Sequence, residues 1–295
     1  MTATASTSTV TARELREVAA ANASGKQPVV FIHGLWLLAS AWDPWRRYFE
    51  DRGFATVAVD WPDDPESVAA ARENPTALAN KRVGQVADHI SEVLALLDRK
   101  PVVIGHSFGG LHTQIQAGRG LARAAVAIDP APFRGVLPLP FTALKASFPV
   151  LGNPFNVTKA VTLTPEQFRY SFTNAVSEEE SRRLYDALHV AAPARSLFQA
   201  ATANIDPTTD AKVDTRNDAR GPLLVISGEN DHIVPWRMAN AAFKRQRRNQ
   251  HHVTEIVEIE GVGHSLVFDS SWQRVADTAY DFLARQGVTA ESQAH

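Results

Sequence analysis

The chain contains no cysteine. That excludes disulfides, a cysteine nucleophile and thiolate metal sites. It does not assign a compartment, because a cysteine-free protein is stable in either redox setting. Net charge is also scarce: 30 basic residues face 32 acidic ones, a formal −2. No global field therefore draws in nucleic acid or an anionic membrane. No apolar run reaches the roughly 18 residues a membrane span needs. The first residues, MTATASTSTVTAREL, lack a basic start and an apolar stretch, so they do not read as a secretory signal. A cytoplasmic location is the default expectation. No repeat of fixed period occurs.

What remains is ordinary globular composition, with 44% hydrophobic and 21% charged residues over 295 positions. The length suffices for a substantial core. Residues 1–27 read as a loose tail with a helical piece near ARELREVAAA. Short apolar runs, each stopped by glycine or proline, then predict buried strands. They are PVVFIHG (28–34), ATVAVDWP (55–62), PVVIGHS (101–107), RAAVAIDPAP (123–132), GPLLVISGEND (221–231) and VTEIVEIEGVGH (253–264). Helical spacing fills the gaps at 40–53, 75–99, 109–120, 236–248 and 271–286.

The rhythm breaks at residue 133. FRGVLPLPFTALKASFPVLGNPFN has no strand alternation. Helix-opening signals follow at Thr164-Pro165-Glu166 and at Ser177-Glu178-Glu179-Glu180. Strands alternating with helices predict an α/β fold: a mostly parallel sheet of about six strands with helices on both faces. Residues 133–220 read as an inserted, mainly helical cap. Residues 28–132 and 221–288 form the core, and 289–295 a tail.

GHSFGG (105–110) carries the chemistry. A serine between glycines, with a strand before and a helix after, matches G-x-S-x-G. A reversal this sharp forces Ser107 into a strained backbone at the sheet's carboxyl edge. Side chains at Gly105 and Gly109 would clash there. A serine hydroxyl is a weak nucleophile until a base takes its proton, and the base is best a histidine held by a carboxylate. Asp231, after the fifth strand, and His264, after the sixth, fall on the same edge, because parallel strands all end on one side.

With HG at 33–34, GHSFGG at 105–110, GENDHIVP at 228–235 and GVGHS at 261–265, the chain resembles the α/β-hydrolase superfamily over roughly residues 28–288. The resemblance is to its capped, serine esterase or lipase-like members. It implies Ser107 as nucleophile, Asp231 as acid and His264 as base. It implies an oxyanion hole from the backbone N–H groups of Leu35 and Phe108. It implies a small-molecule carboxylic ester as substrate, an acyl-enzyme and no metal or organic cofactor. A serine at this position argues against dehalogenase or epoxide hydrolase chemistry, where the family uses aspartate. Lactonase, amidase, C–C hydrolase, perhydrolase or cofactor-free haloperoxidase, hydroxynitrile lyase and a slow-turnover ligand receptor remain alternatives on the same fold. The oligomeric state is not readable. Two departures stand out. The β-hairpin that often precedes the HG strand has no counterpart, and Trp36 follows HG-Leu where lipases carry glycines.

Asp129, after the fourth strand, is the rival acid. Asp60 reads as structural, His33 as a loop brace, and His106 and His112 as packing or solvent residues. His251 and His252 have no further ligand at metal spacing. KRQRR (244–248) lies at a helix end, where positive charge suits the dipole. GVG (261–263) has no helix-opening third glycine for a dinucleotide. Seven of the 14 phenylalanines lie in residues 133–220. They are too many for so small a cap to bury, so some are expected over Ser107. The expected pocket residues are Trp36, Phe133, Phe141 and Trp236, which suggests an apolar or aromatic substrate.

Overall fold

The computed structural model describes residues 9–137 and 140–290. The chain runs α1 (Ala12–Ser24), β1 (Pro28–Ile32), α2 (Asp43–Glu50), β2 (Ala55–Val59), α3 (Val68–Glu73), α4 (Val83–Ala95), β3 (Val102–His106), α5 (Phe108–Gly118) and β4 (Ala124–Ile128). It continues with α6 (Phe141–Leu151), β5 (Ala160–Val161), α7 (Pro165–Ser171), α8 (Glu178–Leu188), β6 (Ala192–Pro193), α9 (Ala194–Thr202), β7 (Leu223–Gly228), α10 (Trp236–Gln246), β8 (Thr254–Ile259) and α11 (Trp272–Arg285).

Six strands form one sheet in the order β2-β1-β3-β4-β7-β8. Every neighbouring pair is parallel. The apolar runs explain this. Strands β1 to β4 and β7 are buried at every position, as a sheet covered by helices on both faces requires. This is the α/β-hydrolase fold. The order reverses between β1 and β3, so a crevice opens where their carboxyl ends diverge. The HG loop leaves β1 there and the GHSFGG turn leaves β3.

The helical piece expected near ARELREVAAA is present as α1, and it is anchored to the sheet. Helix α1 starts with a capping box between Thr11 and Glu14 and lies against the open edge of β2. Arg13 donates to the Ala58 carbonyl, Glu17 accepts from the Ala58 N–H at 3.0 Å, and Glu14 accepts from the Asp60 N–H at 3.0 Å. Side chains thus satisfy backbone groups that a further strand would have paired. Asp60 is tied to Arg13 at 2.7 Å.

The helix expected over 75–99 is shorter. Pro75–Leu78 form one 3-10 turn, Asn80 takes φ +61°, and α4 begins only at Val83. Between β4 and β7 the chain makes α6 to α9 and a two-strand ribbon of β5 and β6. Thr164 and Ser177 cap α7 and α8 as their sequences predict. Helix α6 was not foreseen: it carries Pro149 in its interior.

Candidate active site

Ser107 sits between β3 and α5 with φ +58° and ψ −120°. A non-glycine residue reaches that region only when its surroundings force it. Its N–H donates to the Ile128 carbonyl at 2.9 Å, and its own carbonyl accepts from Leu111 and Ala131. The flanking glycines are needed for closeness. A Cβ at Gly105 would stand 2.2 Å from the Gly109 carbonyl oxygen, and one at Gly109 would stand 2.0 Å from that of Ile32. The elbow is therefore pressed directly onto the end of β1.

Asp231 and His264 meet. The Asp231 Oδ2 to His264 Nδ1 distance is 2.6 Å, with both residues buried. Their loops are neighbours because Asn230 donates to the Val262 carbonyl at 2.8 Å. Asp231 Oδ1 accepts from the Ile233 and Val234 N–H groups at 2.6 and 2.9 Å. Burial alone would raise this carboxyl. The charge of His264 and these hydrogen bonds outweigh burial and leave it below its ordinary value, ionised. His264 Nε2 is buried and has no hydrogen-bond partner among the described residues. Phe172 lies against the imidazole, ring centroids 5.0 Å apart.

Asp129 lies in the same cluster. Its Oδ2 is 3.9 Å from His264 Nδ1, and its Oδ1 accepts from the Gly228 N–H at 2.8 Å. Burial first, and the neighbouring Asp231 charge second, hold its carboxyl well above the ordinary value. Two carboxyl groups this close to each other in a dry site share one charge. The charge belongs on Asp231, which has the histidine and two amides.

His106 was expected to pack or face solvent. Its ring stands 4.5 Å from that of His264, and its Nε2 pairs with the His264 carbonyl at 2.8 Å. Burial, then the His264 charge, hold it well below the ordinary histidine value. It is thus a neutral donor that ties the end of β3 to the loop of His264. Sequence distance hid this link, which joins positions 158 apart. His106, Asp129 and His264 place potential metal-ligating atoms within 4.8 Å of one another. His264 Nδ1 already pairs with Asp231, so an ion bound through that nitrogen would break the contact between them. The His251 Nε2 instead faces Asp218 at 3.1 Å.

The HG loop is braced from below. His33 Nδ1 donates to the Gly34 carbonyl at 2.8 Å, and its Nε2 to Asp64 Oδ2 at 2.9 Å. Burial opposes its charge, but these two acceptors raise its pKa. His112 is buried beside Trp61 and is pushed down to about 3 by burial. A Cβ on Gly34 would come 2.8 Å from the Ser107 Cβ and 3.4 Å from the Phe108 nitrogen. Gly34 is therefore packed against the serine, with Leu35 next in the chain. Phe108 opens α5, where an amide has no partner within its helix and the dipole is positive.

An apolar cavity of about 90 Å³ ends at Ser107 and Phe108. Of the four expected wall residues only Trp36 lines it, with φ +65° and its Nε1 donating to Val161. Phe133 is consumed in the core, Phe141 is 78% exposed, and Trp236 lies half-buried at the start of α10. None of the seven phenylalanines of 133–220 lines it. Its walls are small and aliphatic, among them Ala143, Ala146, Leu197, Ala200 and Met238.

No curated protein matches the chain significantly in sequence. Among solved structures it is similar to a monoacylglycerol lipase from Paleococcus ferrophilus, with TM-score 0.61, 20% identity, and coverage of 88% of this chain and 94% of that one. Polyneuridine aldehyde esterase superposes with TM-score 0.60 at 18% identity, over 87% and 99% of the two chains. A putative non-heme bromoperoxidase from Mycobacterium tuberculosis gives 0.61 at 18%, over 88% and 92%. Likenesses this distant speak for the fold. The model of the alpha/beta hydrolase family matches residues 29–278, and the chain belongs to that family.

Proposed function

We propose that the chain is a serine hydrolase that cleaves a compact, apolar carboxylic ester through an acyl-enzyme. The observation that carries this reading is the buried 2.6 Å contact between Asp231 and His264, on the edge where Ser107 occupies its strained turn. Asp231 holds the Nδ1 proton, so Nε2 is the nitrogen that takes the Ser107 proton. The Ser107 oxygen attacks the ester carbonyl. The N–H groups of Leu35 and Phe108 receive the charge that develops on the carbonyl oxygen. His264 then passes its proton to the leaving alcohol, and water repeats the cycle on the acyl-enzyme. Nε2 and the serine close up only around substrate, as is common for catalytic hydrogen bonds in empty sites.

The cavity limits the ester. Pockets for drug-sized ligands run to roughly 300–1,000 Å³, and this one holds about 90 Å³ between aliphatic walls. Residues 133–220 act as the cap that closes it. The test is fluorophosphonate labelling followed by multiple-turnover kinetics on chromogenic esters of graded acyl length. Ser107→Ala should lose labelling and on the order of 10⁶ in kcat. A folded Ser107→Ala protein with a tenth of the activity would remove Ser107 as nucleophile. A labelled wild type without turnover would make the protein a receptor.

A further inference from the structure

Helix α6 is amphipathic in the wrong sense for a water-facing helix. Its inner face is small: Ala143, Ala146 and Val150 are buried. Its outer face carries Phe141 and Phe148, exposed at 78% and 69%, and Leu144, 50% exposed, lies between this face and the cavity that it also lines. These positions lie three and four residues apart, so they form one stripe. Phe155, in the 3-10 turn that follows, is 78% exposed, and Leu137, before the helix, is 70% exposed. These are five of the nine large hydrophobics left exposed in the described chain, gathered within 19 consecutive positions of 295. Singly exposed apolar residues need no explanation, but a cluster of them marks a contact surface.

The charge of the same segment says what the contact is. No aspartate or glutamate occurs between Asp129 and Glu166, whereas Arg134, Lys145 and Lys159 do. All three are exposed. Lys145 follows Leu144 on the outer stripe of α6, its ammonium 4.1 Å from the Tyr170 ring centre. The chain as a whole is slightly acidic, so the excess of basic charge is local to the segment that carries the aromatic stripe, where Lys145 and Lys159 supply it and Arg134 meets the charge of Asp206. Aromatic side chains enter the headgroup and acyl boundary, and lysine and arginine pair with anionic headgroups. A water-facing protein partner of matching chemistry would need an acidic rim around an apolar groove.

We infer that the outer face of α6, with Phe155, docks the protein on an anionic phospholipid surface. Because the inner face of the same helix walls the cavity through Ala143 and Ala146, docking sets the cavity's wall against the bilayer. The inference does not rest on the catalytic assignment, since binding is read without turnover.

The test is co-sedimentation of the full chain with vesicles of phosphatidylcholine, with and without equal phosphatidylglycerol. The wild type should bind the mixed vesicles at least tenfold more tightly than phosphatidylcholine alone. Phe141→Ser/Phe148→Ser/Phe155→Ser should lose at least tenfold on mixed vesicles. Lys145→Glu/Lys159→Glu should lose the preference for the anionic lipid. Both variants should keep the wild-type circular dichroism and fluorophosphonate labelling. Equal sedimentation of wild type and triple-serine variant would overturn the inference. So would a wild-type dimer that the triple-serine variant converts to monomer, because a second copy would then cover the stripe.

Discussion

Asp129 and Asp231 give opposite results when each is changed to asparagine, and the structure sets the size of the difference. Asp231→Asn removes the ion that orients His264 and leaves an amide that cannot accept its proton equally well. In the serine protease case this change costs about 10⁴ in kcat, and a loss of at least several hundred-fold is expected here. Asp129→Asn exchanges a neutral carboxyl for a neutral amide, so less than tenfold should be lost. The pH profile is the sharper readout. Suppose Asp129 were ionised, with its oxygen 3.9 Å from His264 Nδ1. At an effective dielectric of about 20 that charge would interact with an imidazolium by about 4 kcal/mol, or about three pH units. Removing it would shift the acid limb of kcat/KM down by about that much. With Asp129 neutral, the limb of Asp129→Asn should stay within half a unit of wild type. The assay is kcat/KM from pH 4 to 9 on one chromogenic ester, with folding checked by circular dichroism. A downward shift of two units or more would refute the neutral assignment. A larger kcat loss for Asp129→Asn than for Asp231→Asn would move the acid to the end of β4.

Two further outcomes follow from buried charges away from Ser107. Glu14 is wholly buried and accepts from the Thr11 and Asp60 N–H groups and from His89 Nε2 at 3.0 Å, so Glu14→Gln should cost about 2 kcal/mol in urea unfolding through unmet hydrogen bonds; a loss below about 0.5 kcal/mol would refute the clamp. Burial opposes the Glu14 charge, but His89 and the Thr11 bonds leave its pKa below 4.5, so its contribution is complete above that value and lost as pH falls through the folded one. The raised pKa of His33 makes its contribution complete below 6.5 and lost as pH rises through the folded value. His33→Gln should therefore flatten the stability profile on that side and, by loosening the Gly34 loop, lower kcat by about 10–100-fold; an unchanged kcat would show that the brace does not reach the oxyanion donors.

The sheet was legible because each strand is a short apolar run with a glycine or proline stop, and burial on both faces leaves no alternation to confuse it. The meeting of Asp231 with His264 was legible because each follows such a run at the same edge of the sheet. Four things were not. Helix α1 grips β2 with Arg13, Glu14 and Glu17, residue types that a composition reading assigns to solvent; only their backbone partners at Ala58 and Asp60 show otherwise. Helix α6 hides behind Pro149 and an inverted pattern, with alanines inside and phenylalanines outside, so a search for a buried apolar stripe passes over it. The cavity walls were misjudged for the same reason. Counting phenylalanines assumes that they turn inward, yet Phe168 and Phe172 stack on each other at 5.0 Å, while Phe141, Phe148 and Phe155 face out. Asp129 as a neutral neighbour of the acid depends on a 3.9 Å approach that no spacing encodes.

Backbone strain collects where the chemistry is assigned. Among the described residues, Trp36, Asp63, Asn80, Ser107 and Asp129 are the non-glycine positions with positive φ. Three of them follow β1, β3 and β4, which lie side by side in the sheet. Such a conformation costs roughly 1–3 kcal/mol per residue and persists only where the surroundings over-determine it. Here they do. The Ser107 N–H is fixed to Ile128 and the Asp129 N–H to Ile226 at 2.8 Å, so each strained residue continues the ladder of the strand beside it. Trp36 is held through its carbonyl by Val190 at 3.1 Å and through its indole by Val161. Both of those partners belong to the segment between β4 and β7. Ser107 and Asp129 are therefore braced by the sheet itself, whereas Trp36 is braced by the segment between β4 and β7. A change in how that segment packs would reach Trp36 and the HG loop before it reached Ser107.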